Sequence, residues 1–429
     1  MKVVGLITEY NPFHNGHQYH IEEAKRITHA DFVVVVMSGN YVQRGTPAIT
    51  DKYTRTAMAL SCGADLVLEL PICYATASAE FFALGAVSVL NHLGFVDFIC
   101  FGSECGNITS LSDIATLLAN EPVAFRTQLS DLVKQGLSYP AARMKAVLSH
   151  FNQSEESEMA SILASSNNIL GIEYIKALIK IKSPIRPVTI LRKDAGYHDP
   201  NLYHSNDFDS GNALNKLQTP CISSATAIRN NINTLMDSSK IEANIPSEAY
   251  RLLNEVEHKR LPITEDDFSN LLYYKLLQST PAALESYVDV SVDLSLRIHN
   301  TLNQFTTFSE YSLVLKTKQM TLTRINRALT HILLNISDSN FTRFNQKGYA
   351  QYIRILGFKR SASFILRSAK ETAVPIITKT ADAYDALSED GKIMFEMDVI
   401  GTHLYNQVVY QKFHTRIPNE YVHGAVILP

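Results

Sequence analysis

Two clusters in this 429-residue chain have the residue types and spacing to handle a polyphosphate. The first, Tyr10-Asn11-Pro12-Phe13-His14-Asn15-Gly16-His17, directly follows the β-rich run Lys2 to Thr8 and opens a helical pattern. A helix N-terminus presents unpaired backbone N–H groups and the positive end of the dipole, a natural seat for phosphate. Gly16 leaves room for close approach. His14 and His17, three apart, fall on one face of the first turn, from which both can donate hydrogen bonds to phosphate oxygens. The second cluster, Ile222-Ser223-Ser224-Ala225-Thr226-Ala227-Ile228-Arg229, offers two hydroxyls and, a turn later, a permanent cation able to offset charge on departing pyrophosphate. Ser224 also suits the N-cap of the helix that begins there. His14, His17 and Arg229 are therefore the candidate catalytic residues.

Metal chemistry is less well served. His14, His17 and His20 drift roughly 60° around a helix at each step, so the first and third diverge too far for easy chelation. Cys62, Cys73, Cys100, Cys105 and Cys221 are an odd count without a CxxC pair, which predicts reduced, mostly buried thiols.

The elements that must position these clusters follow from periodicity. Lys2–Thr8, Asp31–Met37 (DFVVVVM), Asp65–Leu70 and Asp97–Phe101 read as strands separated by helical patterns, and the nearly unbroken valines suit a strand covered on both faces. This is the α/β, doubly wound, parallel-sheet signature, whose ligands bind beyond the carboxyl ends of the strands. Ser38, Gly39, Asn40, Gln43, Arg44, Asp51, Lys52 and Arg55 follow the second strand and face the same crevice, their cations being candidates for an anion or RNA contact against a plain salt-bridge cluster. A further strand is expected at Pro187–Leu191 and a polar loop over 194–219. Beyond residue 237 the pattern is almost wholly helical. The expected domains are 1–237 and a mainly α-helical 263–429, with a linker near 238–262.

At 46% hydrophobic and 19% charged the chain is neither disordered nor fibrous. No apolar stretch approaches the ~20 residues of a membrane-spanning helix, and the start is too short and weakly charged for a signal peptide, so a cytoplasmic protein with no membrane association is expected. No obligate protein partner is evident. The net charge of −3 hides an asymmetry, because residues 311–370 hold eleven Lys and Arg against Asp338 alone. A strongly basic module on an acidic body suggests a polyanion met at one place. Interleaved Tyr349 and Tyr352 could stack on unpaired bases while Phe344, Phe358 and Phe364 fill the core.

The first cluster resembles the HxGH signature of the nucleotidyltransferase superfamily, and the second its ISSTxIR companion, with Ala225 as an extra residue. More narrowly, TEYNPFHNGH, MSGNYVQRGTPAITDKYTR, GADLVLELP, FGSE, SSNNILGIEY, LRKDAGYHD and KTKQMTLTRINR are together similar to the bacterial tRNA(Met) cytidine acetate ligase family. That resemblance implies a Rossmann-like, HIGH-type catalytic domain that activates acetate with ATP as acetyl-adenylate. It then transfers the acetyl group to N4 of the wobble cytidine of elongator tRNA(Met), giving N4-acetylcytidine. It places ATP on Ile7, Thr8, Glu9, Tyr10, Asn11, Pro12, Phe13, His14, Asn15, Gly16, His17, Gln18, Tyr19 and His20, with Gly102, Asn167 and Arg192. Ser223 and Ser224 join that set, Mg²⁺ is expected to be held mainly by phosphates, and Lys316, Lys318, Arg324, Arg327, Arg354, Lys359 and Arg360 are expected to meet RNA. Two rival readings are a small-molecule nucleotidyltransferase with a helical oligomerisation domain and a non-catalytic RNA-binding protein on the same fold.

Overall fold

A run such as Phe32–Ser38 (FVVVVMS), with no polar alternation, is stable only when both its faces are covered. The computed structural model, which describes residues 1–155, 157–192, 223–235, 238–369 and 372–429, shows that arrangement. Lys193, Cys221, Ile222, Lys370 and the expected 194–219 loop lie outside the described residues. Strands β1 (Val3–Thr8), β2 (Phe32–Ser38), β3 (Leu66–Leu70), β4 (Phe98–Ser103) and β5 (Arg186–Leu191) run parallel in the order β3-β2-β1-β4-β5. The register from Val3↔Phe32 to Thr8↔Met37 brings the carboxyl ends of β1 and β2 side by side.

The helices that cover this sheet are α1 (Asn15–Thr28), α2 (Lys52–Ser61), α3 (Ala79–His92), α4 (Ser166–Lys180), α5 (Ala225–Leu235) and α6 (Ser247–Val256). Alternate β2 valines serve opposite faces. Val34 and Val36 pack in a core with Leu84, Leu90 and Ile172, whereas Val33 and Val35 join Ile21, Met58 and Leu60. The segment expected as a linker is itself folded into a 3-10 turn, Ser238–Asn244, and α6. Ala249 and Leu253 of α6 belong to the same core as α1 and α2.

Residues 263–429 are mainly helical, and include α7 (Leu322–Leu333) and α8 (Glu389–Phe413). The expectation that they are almost wholly so is corrected by β6 (Ile353–Lys359), β7 (Ile376–Ile377) and β8 (Val426–Leu428), which extend the sheet as β8-β6-β3, with β7 beside β6. β6 runs antiparallel to β3, pairing Leu66 with Phe358 and Glu69 with Arg354. An arginine in mid-run speaks against a buried strand. Here it is accommodated by ion pairing.

Lys52 Nζ donates to both Glu69 oxygens at 2.7 and 2.8 Å and lies 2.9 Å from Glu420. Arg354 closes the cluster against Glu69 at 3.3 Å and against Glu420. All four side chains are shut off from solvent. Lys52 and Arg354 are thereby removed from the candidate contacts to acetate or RNA, since their charges are consumed inside the fold. Removing one member of such a buried set costs about 3–5 kcal/mol because the remainder is left uncompensated. Arg354→Met should therefore lower the unfolding free energy by about that much in urea titrations; a loss below about 1 kcal/mol, the range of an exposed pair, would refute this account of how β6 is anchored.

Candidate active site

The turn from β1 into α1 sets the chemistry. Tyr10 adopts φ 48°, a backbone state unusual for an aromatic residue, with its ring buried 4.7 Å from Phe13 and 4.8 Å from His17. His14 is the extended N-cap of α1, rather than a first-turn residue as its spacing from His17 suggested. Its Nδ1 accepts from the Gly16 N–H at 3.1 Å, and His17 Nδ1 accepts from the His14 N–H at 3.2 Å. The rings stack with centroids 3.7 Å apart.

A backbone N–H can only donate, so both Nδ1 atoms are unprotonated and both rings carry their proton on Nε2 in the neutral form. Burial, and after it Arg192 and Arg229, pushes His14 down to about 3. Burial and the neighbouring His14 hold His17 well below its usual range. The pair thus presents two uncharged N–H donors at a helix N-terminus. His20 is different, because its Nε2 bonds the Cys100 carbonyl at 3.2 Å, which only accepts.

These residues open on a cavity of about 490 Å³ beyond the carboxyl ends of β1, β4 and β5. Of the expected nucleotide contacts it is lined by Ile7, Thr8, Glu9, Tyr10, Asn11, His14, Gly16, His17, Tyr19, His20, Gly102, Asn167, Arg192, Ser223, Ser224 and Arg229. Pro12, Phe13, Asn15 and Gln18 are not on its wall. Phe13 is core, Asn15 Nδ2 donates to the Ala243 carbonyl at 2.9 Å, and Gln18 bonds Glu22. Those four hold the turn or face elsewhere.

Neighbouring elements are tied to the turn by specific bonds. Asn11 Oδ1 accepts from Ile49 N–H at 2.8 Å while its carbonyl accepts from Arg229 Nη1 at 2.7 Å. Ser224 Oγ caps α5 by accepting from Ala227 N–H at 3.1 Å, and Ser223 Oγ donates to Asn244 Oδ1. Across the sheet, the Glu104 carboxylate accepts from the Asn167 and Asn168 N–H groups and from Asn167 Nδ2 at 2.6 Å. It thus caps the start of α4 and ties the FGSE segment to SSNNILGIEY. Gly102 has a close-approach role, as a Cβ there would lie 3.1 Å from Arg192 Cγ.

Beneath the crevice the fully buried Arg55 donates to four carbonyls, those of Thr50 (3.1 Å), Glu9 (2.6 Å), Ser38 (3.0 Å) and Gly39. It too is withdrawn from the candidate anion or RNA contacts, because its donors are spent on the loops after β1 and β2. Asp51 caps α2 through the Tyr53 and Thr54 N–H groups. Gln43 and Arg44 do reach the cavity, on a hairpin of Tyr41–Val42 and Thr46–Pro47. Gly45, at φ 72°, lets that hairpin seat on α7, since a Cβ would meet Arg327 N at 2.3 Å.

The cavity also takes in residues that were not singled out from the sequence, namely Thr226 of the second cluster, Asn230, Asn233, Glu265, Thr323 and Asn326. Thr323 and Asn326 fall inside KTKQMTLTRINR, so only their roles were hidden. Glu265 stands just past the expected linker near 238–262, at the start of the helical half.

The basic window divides into parts. Lys316 and Lys318 are exposed just before α7, whose first turn lines the cavity, and Arg324 is half-buried there. Arg327 is paired with Asp289 at 2.9 Å, and Arg343 and Lys347 with Asp390. Arg354 is buried, as described. Lys359 and Arg360 lie at the far end of β6, beside Asp65 at the start of β3, so the antiparallel pairing carries them to the opposite edge of the sheet from the cavity. The aromatic assignment is corrected likewise. Tyr352 is buried with its hydroxyl on Asp398, while Phe364 is 46% exposed. No group of three or more His, Cys, Asp or Glu side chains among the described residues is placed to hold a metal ion, and no described helix is long and apolar enough to cross a membrane.

A mostly parallel sheet with paired histidines at the first helix cap defines a HIGH-type nucleotidyltransferase, and the HIGH Nucleotidyl Transferase family matches residues 1–420. Within that class the chain belongs to the tRNA(Met) cytidine acetate ligase family. It is 39% identical to the protein of that name from Acetivibrio thermocellus over the whole of both chains, and 40% identical to that from Alkaliphilus metalliredigens over 94% of each. It superposes on Thermotoga maritima TmcAL in apo form with a TM-score of 0.90 at 32% identity, and on that protein bound with alpha-thio ATP with 0.88 at 31%, covering all of each chain.

The neutral histidines set a pH dependence. Free histidine titrates near 6.5, so below that pH the unfolded chain binds protons that His14, His17 and His20 refuse in the fold. Their stabilising contribution is therefore complete above about pH 6.5 and is lost progressively as pH falls toward about 3 for His14 and about 4 for His20. Nitrogen NMR at pH 5 should show His14 and His17 still protonated on Nε2 alone; imidazolium signals at that pH would contradict the assignment.

Proposed function

We propose that this chain is an ATP-dependent ligase that activates acetate as acetyl-adenylate and transfers the acetyl group to N4 of a cytidine in tRNA(Met). The observation that carries the reading is the neutral, stacked His14–His17 pair capping α1 at one end of a cavity that also holds Arg192, Arg229, Gly102 and Asn167.

In this reading ATP lies across the carboxyl ends of the strands. Its base and ribose rest toward Gly102 and Asn167, and its triphosphate faces the cap of α1. His14 and His17 donate through Nε2 to phosphate oxygens, and Arg192 and Arg229 supply permanent charge as it builds on pyrophosphate. Neutral imidazoles suit this task, since they strengthen hydrogen bonding as charge develops without adding two buried cations beside two arginines. The acetate oxygen attacks the α-phosphorus in line, and the enzyme contributes position and field rather than a nucleophile of its own. Mg²⁺ is proposed to ride on the triphosphate, since the carboxylates of this wall, Glu9 and Glu265, form no metal-binding cluster among the described residues; when bound it would offset phosphate charge. RNA is proposed to approach over Lys316, Lys318 and Arg324, the basic residues next to the cavity end formed by α7.

Incubation with ATP, labelled acetate and bulk tRNA, followed by nucleoside mass spectrometry, should give labelled N4-acetylcytidine. AMP transfer to a small metabolite without RNA would favour a nucleotidyltransferase of another kind. His17→Ala should reduce acetate-dependent ATP–pyrophosphate exchange by about 10²-fold or more, the usual loss when a preorganised donor is removed, with RNA affinity little changed. Reversing charge at Lys316 and Lys318 should weaken RNA binding and flatten its dependence on log salt by about 1.4–1.8 units if both engage phosphates. The same reversal at Lys359 and Arg360 should not, and equal effects from the two pairs would overturn the proposed approach.

A further inference from the structure

We infer that Glu265 is the group that receives the amine proton of the acetyl acceptor, in a subsite formed where the two halves of the chain meet. This rests on the acetyl-transfer reading above. The subsite is the end of the cavity bounded by the Gln43–Arg44 hairpin, Thr264–Glu265 and the first turns of α7.

Three acids follow one another here, and two have structural employment. Asp266 accepts from the N–H and hydroxyl of Ser309, both at 2.8 Å. Asp267 accepts from Thr264 N–H and pairs with Lys412 at 2.8 Å. Glu265 alone lines the cavity, and it has no ion-pair partner among the described residues. A carboxylate on the wall of a triphosphate pocket repels the nucleotide, and whereas Glu9 on that wall accepts from the Gln43 N–H at 2.8 Å, the placement of Glu265 fits a ligand that brings donors. Asn326, on the same wall, has a buried amide oxygen with no hydrogen-bond partner. Two acceptors in one subsite call for a group with two N–H bonds. The N4 amine of cytosine is such a group, and carboxylates are its usual readers; uracil would set its own acceptor, O4, against both.

The step balances without another reagent. N4 attacks the acetyl carbonyl carbon, the C–N bond forms, and the C–O bond to AMP breaks with its electron pair leaving on AMP. One N4 proton passes to the Glu265 carboxylate. Burial raises the affinity of Glu265 for that proton, while a hydrogen bond from its own backbone and, after it, Arg229 oppose the shift, and a base held above the ordinary carboxylate range is better matched to it.

The test supplies synthetic acetyl-adenylate and tRNA to Glu265→Gln and Glu265→Asp, and measures ATP–pyrophosphate exchange on the same preparations. The expected result is transfer reduced by about 10²–10⁴-fold in Glu265→Gln, the span of general-base contributions. Transfer should be partly restored in Glu265→Asp, and in both variants exchange should change far less than transfer. Wild-type transfer in Glu265→Gln overturns the inference. So does loss of exchange that is recovered by raising Mg²⁺, which would place Glu265 with the nucleotide's ion. If the wild-type protein itself fails in exchange with acetate, the proposed function is at fault rather than the role of Glu265.

Discussion

The crevice exists because one guanidinium is buried where no carboxylate meets it. Four carbonyl oxygens in the loops that follow β1, β2 and the hairpin would otherwise face inward without donors, and an unpaired buried carbonyl costs about 1–3 kcal/mol. Arg55 supplies donors to all of them. Because it reaches Glu9 on one side and Ser38 and Gly39 on the other, it fixes the separation of two loops that strand pairing alone leaves free. The histidine turn, the Asn40 region and the hairpin are all set by that separation. A lysine, with donors radiating from a point rather than spread along a planar fork, lacks the reach to bridge them.

On this foundation the α1 cap is built from the same atoms that it offers to the ligand. His14 and His17 each spend Nδ1 on a backbone N–H, which locks ring orientation and tautomer and leaves Nε2 facing out. Capping and ligand binding are usually competing demands on a polar side chain at a helix start. Imidazole escapes the conflict because it has two nitrogens on opposite sides of the ring, whereas serine or asparagine at the cap would satisfy the helix and point nothing comparable at a phosphate.

Much of this was legible before any coordinates. The strands of the first third follow from unbroken valine runs, and the histidine turn from its place between a strand and a helix. Glu104 lay in view inside FGSE, but its capping of α4 joins residues far apart in sequence, and no local pattern reports such a bond. The strand around Arg354 was missed for a related reason: an arginine inside a short apolar run reads as surface until Glu69 and Glu420 are known to enclose it. Charge counting failed in the same way over 311–370. It registered cations but not the Asp289, Asp390 and Asp65 carboxylates that neutralise several of them from other parts of the chain, nor the antiparallel pairing that sends Lys359 and Arg360 to the wrong end of the sheet.

The insertion of β6 beside β3 carries a consequence for biosynthesis. Lys52 and Glu69 emerge from the ribosome early, but Arg354 and Glu420, which complete their cluster, are made near the end. At typical elongation rates of ~5–20 residues per second, the nascent chain carries an open β3 edge and an incomplete charge set for tens of seconds. An open edge of this kind templates pairing with other chains, so the first half has reason to be shielded cotranslationally. The hairpin's seat on α7 imposes the same delay, and the acceptor end of the cavity closes only once the later helices have been synthesised.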